Sequence, residues 1–231
     1  MPSPPVPFEV IGHRGACGYA PENTLASFEK AIALGLRWVE FDVQLSSDGV
    51  PMVIHDATLD RTTCLRGAVS NTPSQVMVGP CIEGGHAVPT LTQVLALLDE
   101  KHVGAYVEIK STNSQAAALV LATLGPSRPD RIVSSFDMAT LRKVREIDPT
   151  RPIQALFTTF PPHLDRIIQR LAPNQIGVRY GYLSPSRAKQ IRAFGLPVMT
   201  YTVNTPEGLS RARVLGMSGA FCDFPDRAPA A

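Results

Sequence analysis

At 231 residues and 44% hydrophobic content, the chain is long enough to bury one sizeable core, and a single domain over residues 1–231 is expected. A formal charge of +2, from 22 Lys and Arg against 20 Asp and Glu, with no basic cluster, excludes nucleic acid as the main partner. No run approaches the roughly 18 apolar residues of a membrane span, and no basic segment followed by an apolar core opens the sequence. A cytoplasmic protein without stable membrane association is therefore expected; no feature of the sequence speaks to its oligomeric state. Cys17, Cys64, Cys81 and Cys222 lack metal-type or framework spacing and read as reduced thiols, with Cys64 and Cys81 placed to approach each other in one loop.

Residues 1–7 carry four prolines and read as an extended lead-in. Phe8–His13 is a short apolar run ending in His13-Arg14-Gly15. Pro21-Glu22-Asn23-Thr24 then leads into Leu25, Phe28 and Ile32 at helical spacing, stopped by Gly35, which predicts strand, loop and helix. Asn23 or Thr24 caps that helix, and Glu22 is placed to orient a site. From Trp38 to Gln44, large apolar residues alternate with Glu40 and Asp42, so both carboxylates share one face of a strand. Asp48-Gly49 marks a two-residue turn. If Ser47 and Val50 close it, His55 on the returning strand lies directly opposite Asp42, and one hairpin gathers Glu40, Asp42 and His55. Residues 57–89, with weak periodicity and several glycines, read as an insertion over one end of the fold.

Thr90-Leu91-Thr92-Gln93 is a capping-box pattern ahead of Val94, Leu95 and Leu98, so a helix begins there. Strand and helix then alternate: strand 105–109, helix 114–124, strand 131–135, a helix capped by Asp137, strand 153–157, a helix around 162–172 and a weak strand at 175–179. A helix opened by Ser184-Pro185, strand 196–203, a helix opened by Thr205-Pro206 and strand 219–223 complete the chain. Without the returning hairpin strand there are eight strands, which suits a closed parallel barrel or a doubly wound sheet. His13, Glu40, Asp42, Glu108, Lys110, Ser135, Arg179, Asn204 and Asp223 all fall at strand C-terminal ends. A barrel brings those ends to one mouth, and no glycine-rich nucleotide loop follows the first strand. The expected fold is a TIM (β/α)8 barrel with a small insertion after the second strand.

Glu40, Asp42 and Glu108 in one pocket repel one another unless a cation intervenes. A divalent metal resolves this, and an oxygen-only ligand set favours Mg²⁺, Ca²⁺ or Mn²⁺ over Zn²⁺; the bland alternative is ion pairing inside the barrel. Lys110, on the same strand face as Glu108, suits either a carboxylate partner or a substrate anion. His13 and His55 come from different strands and can stand on either side of a phosphate as proton donor and acceptor, or serve as structural residues. Arg14 offers the forked donor that fits phosphate oxygens, and equally suits a surface or capping role. His86, His102 and His163 attract no function.

His13-Arg14-Gly15-Ala16, Pro21-Glu22-Asn23-Thr24, Glu40-x-Asp42-Val43-Gln44, Asp48-Gly49, Val53-Ile54-His55-Asp56 and Leu59-Asp60-Arg61-Thr62-Thr63, in this order, resemble the glycerophosphodiester phosphodiesterase family. Pro89-Thr90-Leu91, Glu108-Ile109-Lys110, Ser135-Phe136 and Thr202-Val203-Asn204 extend the resemblance along nearly the whole chain. It implies a TIM barrel with an insertion, metal ligands at Glu40, Asp42 and Glu108, acid/base histidines at His13 and His55, and phosphate-contacting Arg14 and Lys110. The activity implied is metal-dependent hydrolysis of a small-molecule glycerophosphodiester to an alcohol and sn-glycerol 3-phosphate, with water or the substrate's own neighbouring hydroxyl as nucleophile. Phospholipase-D-like cleavage of lysophospholipids is the nearer alternative, and it needs apolar surface at the mouth from Phe136, Tyr180, Tyr182 or Tyr201. A non-catalytic binding barrel predicts lost ligands, whereas all are present. Tyr201 stands where the family has Trp, and Ala220-Phe221-Cys222-Asp223 replaces Ile-Ile-Thr-Asp; both departures fall at the expected alcohol pocket.

Overall fold

Short apolar runs bounded by turn residues form nine strands: β1 (Glu9–Gly12), β2 (Trp38–Leu45), β3 (Pro51–Val53), β4 (Gly104–Ile109), β5 (Arg131–Ser135), β6 (Ile153–Phe157), β7 (Gln175–Arg179), β8 (Val198–Tyr201) and β9 (Gly219–Cys222). The structure, a computed structural model, describes residues 8–227; the expected proline-rich lead-in at 1–7 lies outside them. Eight strands pair in parallel in the order β1-β9-β8-β7-β6-β5-β4-β2, and β1 pairs with β2 to close the ring. This is a closed eight-stranded TIM barrel, with β3 added antiparallel to β2 outside the ring.

Helices α1 (Leu25–Ala33), α2 (Ser74–Met77), α3 (Leu91–Glu100), α4 (Ala116–Leu124), α5 (Met138–Ile147), α6 (Leu164–Leu171), α7 (Pro185–Arg192) and α8 (Pro206–Val214) complete the fold. Their starts follow from side-chain oxygens that accept the first orphan backbone N–H groups. Thr24 accepts from Ser27, Asp137 from Ala139 and Thr140, Ser184 from Arg187 and Thr205 from Gly208, while Thr90 and Gln93 form the reciprocal capping box. Pro185 and Pro206 occupy first-turn positions whose missing donors cost nothing.

The two faces of the sheet separate the core into shells. Val39, Phe41 and Val43 of β2 point outward and pack with Phe28, Leu91 and Leu98 of the helices. Ile11, Tyr106, Ile132, Met199 and Phe221 fill the barrel interior, the layered filling of this fold. Residues 57–89 hold α2 and two single 3₁₀ turns. Leu59, Val69, Met77 and Val88 of this segment bury against Met52 and Ile54 beside the hairpin.

The hairpin register differs from the sequence expectation by one residue. Val43 pairs with Val53, Gln44 with Met52 and Leu45 with Pro51, so Asp42 faces Ile54, whose N–H donates to the Asp42 carbonyl at 3.0 Å. The cause is a longer turn. Ser46 N–H donates to the Val50 carbonyl at 3.0 Å, and the Ser46 hydroxyl accepts from Val50 N–H at 2.9 Å, so Ser46 and Val50 close the loop in place of Ser47 and Val50. A one-residue slip inverts every side chain of a strand, but β3 ends at Val53. His55 lies beyond the ladder and turns to the barrel mouth with Asp42.

Candidate active site

Alternation in β2 places Glu40 and Asp42 on the inner face, and Asp42 is the register partner of Glu108 on β4. All three are buried, and one carboxylate oxygen from each lies within 4.8 Å of the others. Around them, Lys110 Nζ stands 2.9 Å from Glu108 Oε1 and 3.6 Å from Asp42 Oδ1, and Arg14 Nε stands 3.3 Å from Asp42 Oδ2. The Arg14 backbone N–H donates to Glu40 at 3.0 Å, and Asn23 Nδ2 donates to Asp42 at 2.9 Å. Arg14 and Asn23 both adopt left-handed backbone angles, φ 53° and 58°, an uncommon conformation at two adjacent points of one site.

Two cations do not neutralise this cluster. Burial, with repulsion from Asp42 and Glu108, raises Glu40 well above the usual carboxylate range. Burial and Asp42 push Glu108 up to about 7 even with Lys110 in contact. Burial acts against the charged forms of Arg14 and Lys110, yet the surrounding carboxylates leave both raised. Three convergent hard oxygen donors with unspent negative charge fit a divalent cation.

Each histidine is anchored by a carboxylate. His13, just past β1, holds Asp223, just past β9, through Nδ1 at 2.6 Å; β1 and β9 are ring neighbours with Gly12 paired to Cys222. Asp223 also accepts from Asn204 Nδ2 at 2.6 Å and Cys17 Sγ at 3.1 Å. Burial opposes its ionisation, but these donors, His13 foremost, bring it down to about 2. His55 Nδ1 lies 2.6 Å from Asp56, and Asp56 accepts from Arg61 Nε at 2.6 Å. Arg61 in turn grips Glu22 at 2.7 and 2.8 Å, and Glu22 accepts from Arg14 at 2.8 Å. An ionised carboxylate only accepts, so each Nδ1 carries the proton and each Nε2 is the free ring nitrogen. Burial holds the His55 pKa below its ordinary value, outweighing the pull of Asp42 and Asp56.

One cavity of about 190 Å³ joins these groups. His13, Arg14, Glu40, His55, Glu108 and Lys110 line it, and Phe136, Leu156, Tyr201 and Phe221 form its apolar wall. Of the seven residues expected as metal ligands, acid/base groups or phosphate contacts, only Asp42 does not line it, being held behind by Asn23 and Arg14. Tyr201 donates through its hydroxyl to the Phe157 carbonyl at 2.9 Å and meets Phe136 edge-on at 5.6 Å. Arg179 is exposed and Ser135 turns its hydroxyl to the Ile109 carbonyl, so neither belongs to the cavity; Ser134 does. His86, His102 and His163 stay outside it. Sequence reasoning missed Asp56 and Arg61 as anchors of His55. Adjacency to His55 was the available signal for Asp56, and the Leu59–Thr63 motif for Arg61.

Comparison with known proteins decides the family. The profile of the glycerophosphoryl diester phosphodiesterase family matches residues 13–227. The chain belongs to this family. A glycerophosphodiester phosphodiesterase of Caldanaerobacter subterraneus subsp. tengcongensis is 30% identical, with 94% of each chain covered. One from Bacillus subtilis is 29% identical over 94% of this chain and 83% of its own. A phosphodiesterase of Oleispira antarctica, solved in complex with the product sn-glycerol-3-phosphate, superposes with a TM-score of 0.90 at 26% identity over 94% of both chains. As a glycerophosphodiester phosphodiesterase, the protein is an enzyme of the phosphoric diester hydrolase class.

Proposed function

We propose that this phosphodiesterase cleaves glycerophosphodiesters to an alcohol and sn-glycerol 3-phosphate in the cavity at the barrel mouth, with a divalent cation and two histidines. The observation that carries the reading is the convergence of the Glu40, Asp42 and Glu108 oxygens beside two carboxylate-anchored histidines. Glu40, Asp42 and Glu108 would hold the cation, Mg²⁺, Ca²⁺ or Mn²⁺. When bound, that ion supplies Lewis-acid stabilisation of charge on the phosphoryl oxygens.

Arg14 and Lys110 add two fixed positive charges to the wall, placed for the non-bridging phosphate oxygens. His55, neutral at neutral pH through its lowered pKa, takes the proton from the nucleophile through Nε2. His13, in its imidazolium form with Nδ1–H held on the ionised Asp223, gives its Nε2 proton to the leaving alkoxide and is left neutral. The network from Arg14 through Glu22 and Arg61 to Asp56 fixes one histidine relative to one phosphate ligand, which limits the motion that costs rate. Residues 57–89 act as an insertion within one barrel domain, contributing Arg61 to this network. No helix among the described residues is long and apolar enough to cross a membrane; the substrates of this reading are dissolved diesters, met in the cytoplasm.

Phe136, 39% exposed at the cavity edge, favours a second reading, cleavage of lysophospholipids. Assaying glycerophosphocholine, glycerophosphoethanolamine and a lysophospholipid in parallel, with and without chelator, separates the two. Chelator-sensitive release of choline and ethanolamine is expected; turnover indifferent to chelator, or confined to the lysolipid, counts against the proposal.

A further inference from the structure

Gln154, the second residue of β6, is fully buried at 0% exposure, and neither its Nε2 nor its Oε1 has a hydrogen-bond partner. Buried amides are nearly always paired, so one left open at both ends asks for an explanation. Its position in the barrel supplies one. Asp42 is in register with Glu108, Glu108 with Ser134, and Ser134 with Gln154, so Gln154 points to the barrel interior as the carboxylates do, deeper than Asp42 because the strands of a barrel are sheared. In the closed ring, β6 lies four strands from β1 in either direction, across the barrel from His13 and Arg14.

The cavity reaches Gln154, beside Ser134 of β5 and Leu156 of β6, with Tyr201 and Thr202 further round the ring. Gly177 on the neighbouring β7 makes room for it. A Cβ there would stand 2.3 Å from Leu156 Cδ2 and 3.4 Å from Gln154 Cδ, so a larger residue would crowd both side chains.

We propose that Gln154 binds a hydroxyl group of the substrate, its amide supplying the acceptor and donor that a hydroxyl matches. The inference rests on the phosphodiesterase reading above. With phosphate held on the β1, β2 and β4 side, one arm of the diester extends towards β6. An uncharged hydroxyl is the complement of one amide in an apolar wall. A cationic headgroup calls for a carboxylate there, and an acyl chain would leave the amide as unpaired as before. The hydroxyl belongs either to the glycerol moiety or to the leaving alcohol.

Gln154→Met keeps length and removes both polar atoms, and two comparisons distinguish the arms. For the glycerol arm, calorimetry gives the ratio of affinities for sn-glycerol 3-phosphate and propyl phosphate. For the alcohol arm, kinetics give the ratio of kcat/KM for glycerophosphoglycerol and glycerophosphopropanol. One of these ratios is expected to fall at least tenfold in the variant. The ligand-free variant should melt at or above the wild-type temperature, because an unpaired buried group has been removed. Both ratios unchanged, or a variant that unfolds or melts lower, overturns the assignment. A wild-type protein inert towards every diester sinks the underlying reading instead.

Discussion

Two short contacts, His13 to Asp223 and His55 to Asp56, both at 2.6 Å, fix which ring nitrogen of each histidine faces the cavity. Asp56→Asn and Asp223→Asn keep the shape and remove the charge; kcat should fall by about 10- to 100-fold with KM nearly unchanged, as for other residues that orient a reacting group. His55 must be neutral to accept a proton, and its pKa is lowered. The acid limb of kcat/KM should therefore lie below the ordinary histidine value of 6.5. Asp56 supports the charged ring, so Asp56→Asn should move that limb lower still. The carboxylates give an opposite dependence. Glu40 and Glu108 titrate above the unfolded value of 4.5, Glu108 at about 7. Between those values the metal-free fold holds more protons than the unfolded chain, and stability contributed by these groups is lost as pH rises. A cation needs them ionised. The rise in melting temperature on adding Mg²⁺ or Ca²⁺ should thus be larger at pH 8 than at pH 5, and equal rises would contradict a carboxylate site. The charged residues and histidines were legible because polar groups interrupt apolar strands. Gln154 was not, since one amide in Ile153–Phe157 reads as an ordinary outward-facing strand residue.

At the scale of elements, the β2–β3 hairpin shows where sequence reasoning reaches its limit. Period-2 alternation gave the strand and its inner face, and Asp48-Gly49 gave the turn, but the number of turn residues depended on Ser46. Its hydroxyl closes the loop, while the Asp48 carboxylate is taken by Ser74 through N–H at 2.9 Å and hydroxyl at 2.7 Å. That contact joins the hairpin to α2 and involves a segment without periodicity, so no local pattern announced it. Ser46→Ala should cost about 1 kcal/mol in urea denaturation, the usual value of a buried hydrogen bond, and no loss would mean that Ser46 does not set the register. Helix starts were more legible, because a cap is a local event. Thr90, Asp137, Ser184 and Thr205 each sit immediately before an apolar period. The helix expected at 162–172 begins instead at Leu164, because His163 takes a left-handed φ of 65°.

Closure of the barrel turns a scattered sequence pattern into a site. Residues from β1 to β9, 210 positions apart for His13 and Asp223, meet because ring closure makes the first and last strands neighbours. The same geometry sets Gln154 opposite the histidine and arginine that follow β1. Strand-end position alone was not sufficient: Arg179 meets that criterion and stays exposed, because the final side chain of a strand can leave the mouth as easily as enter it. The central claim, that His13 and His55 act on a diester held beside the carboxylate cluster, is tested most directly by phosphorus NMR of glycerophosphocholine with Mg²⁺ present. Wild-type protein should accumulate sn-glycerol 3-phosphate, and His13→Ala and His55→Ala should each fold yet slow its appearance by about 10²- to 10⁴-fold. Folded variants that retain most of the wild-type rate would contradict the account.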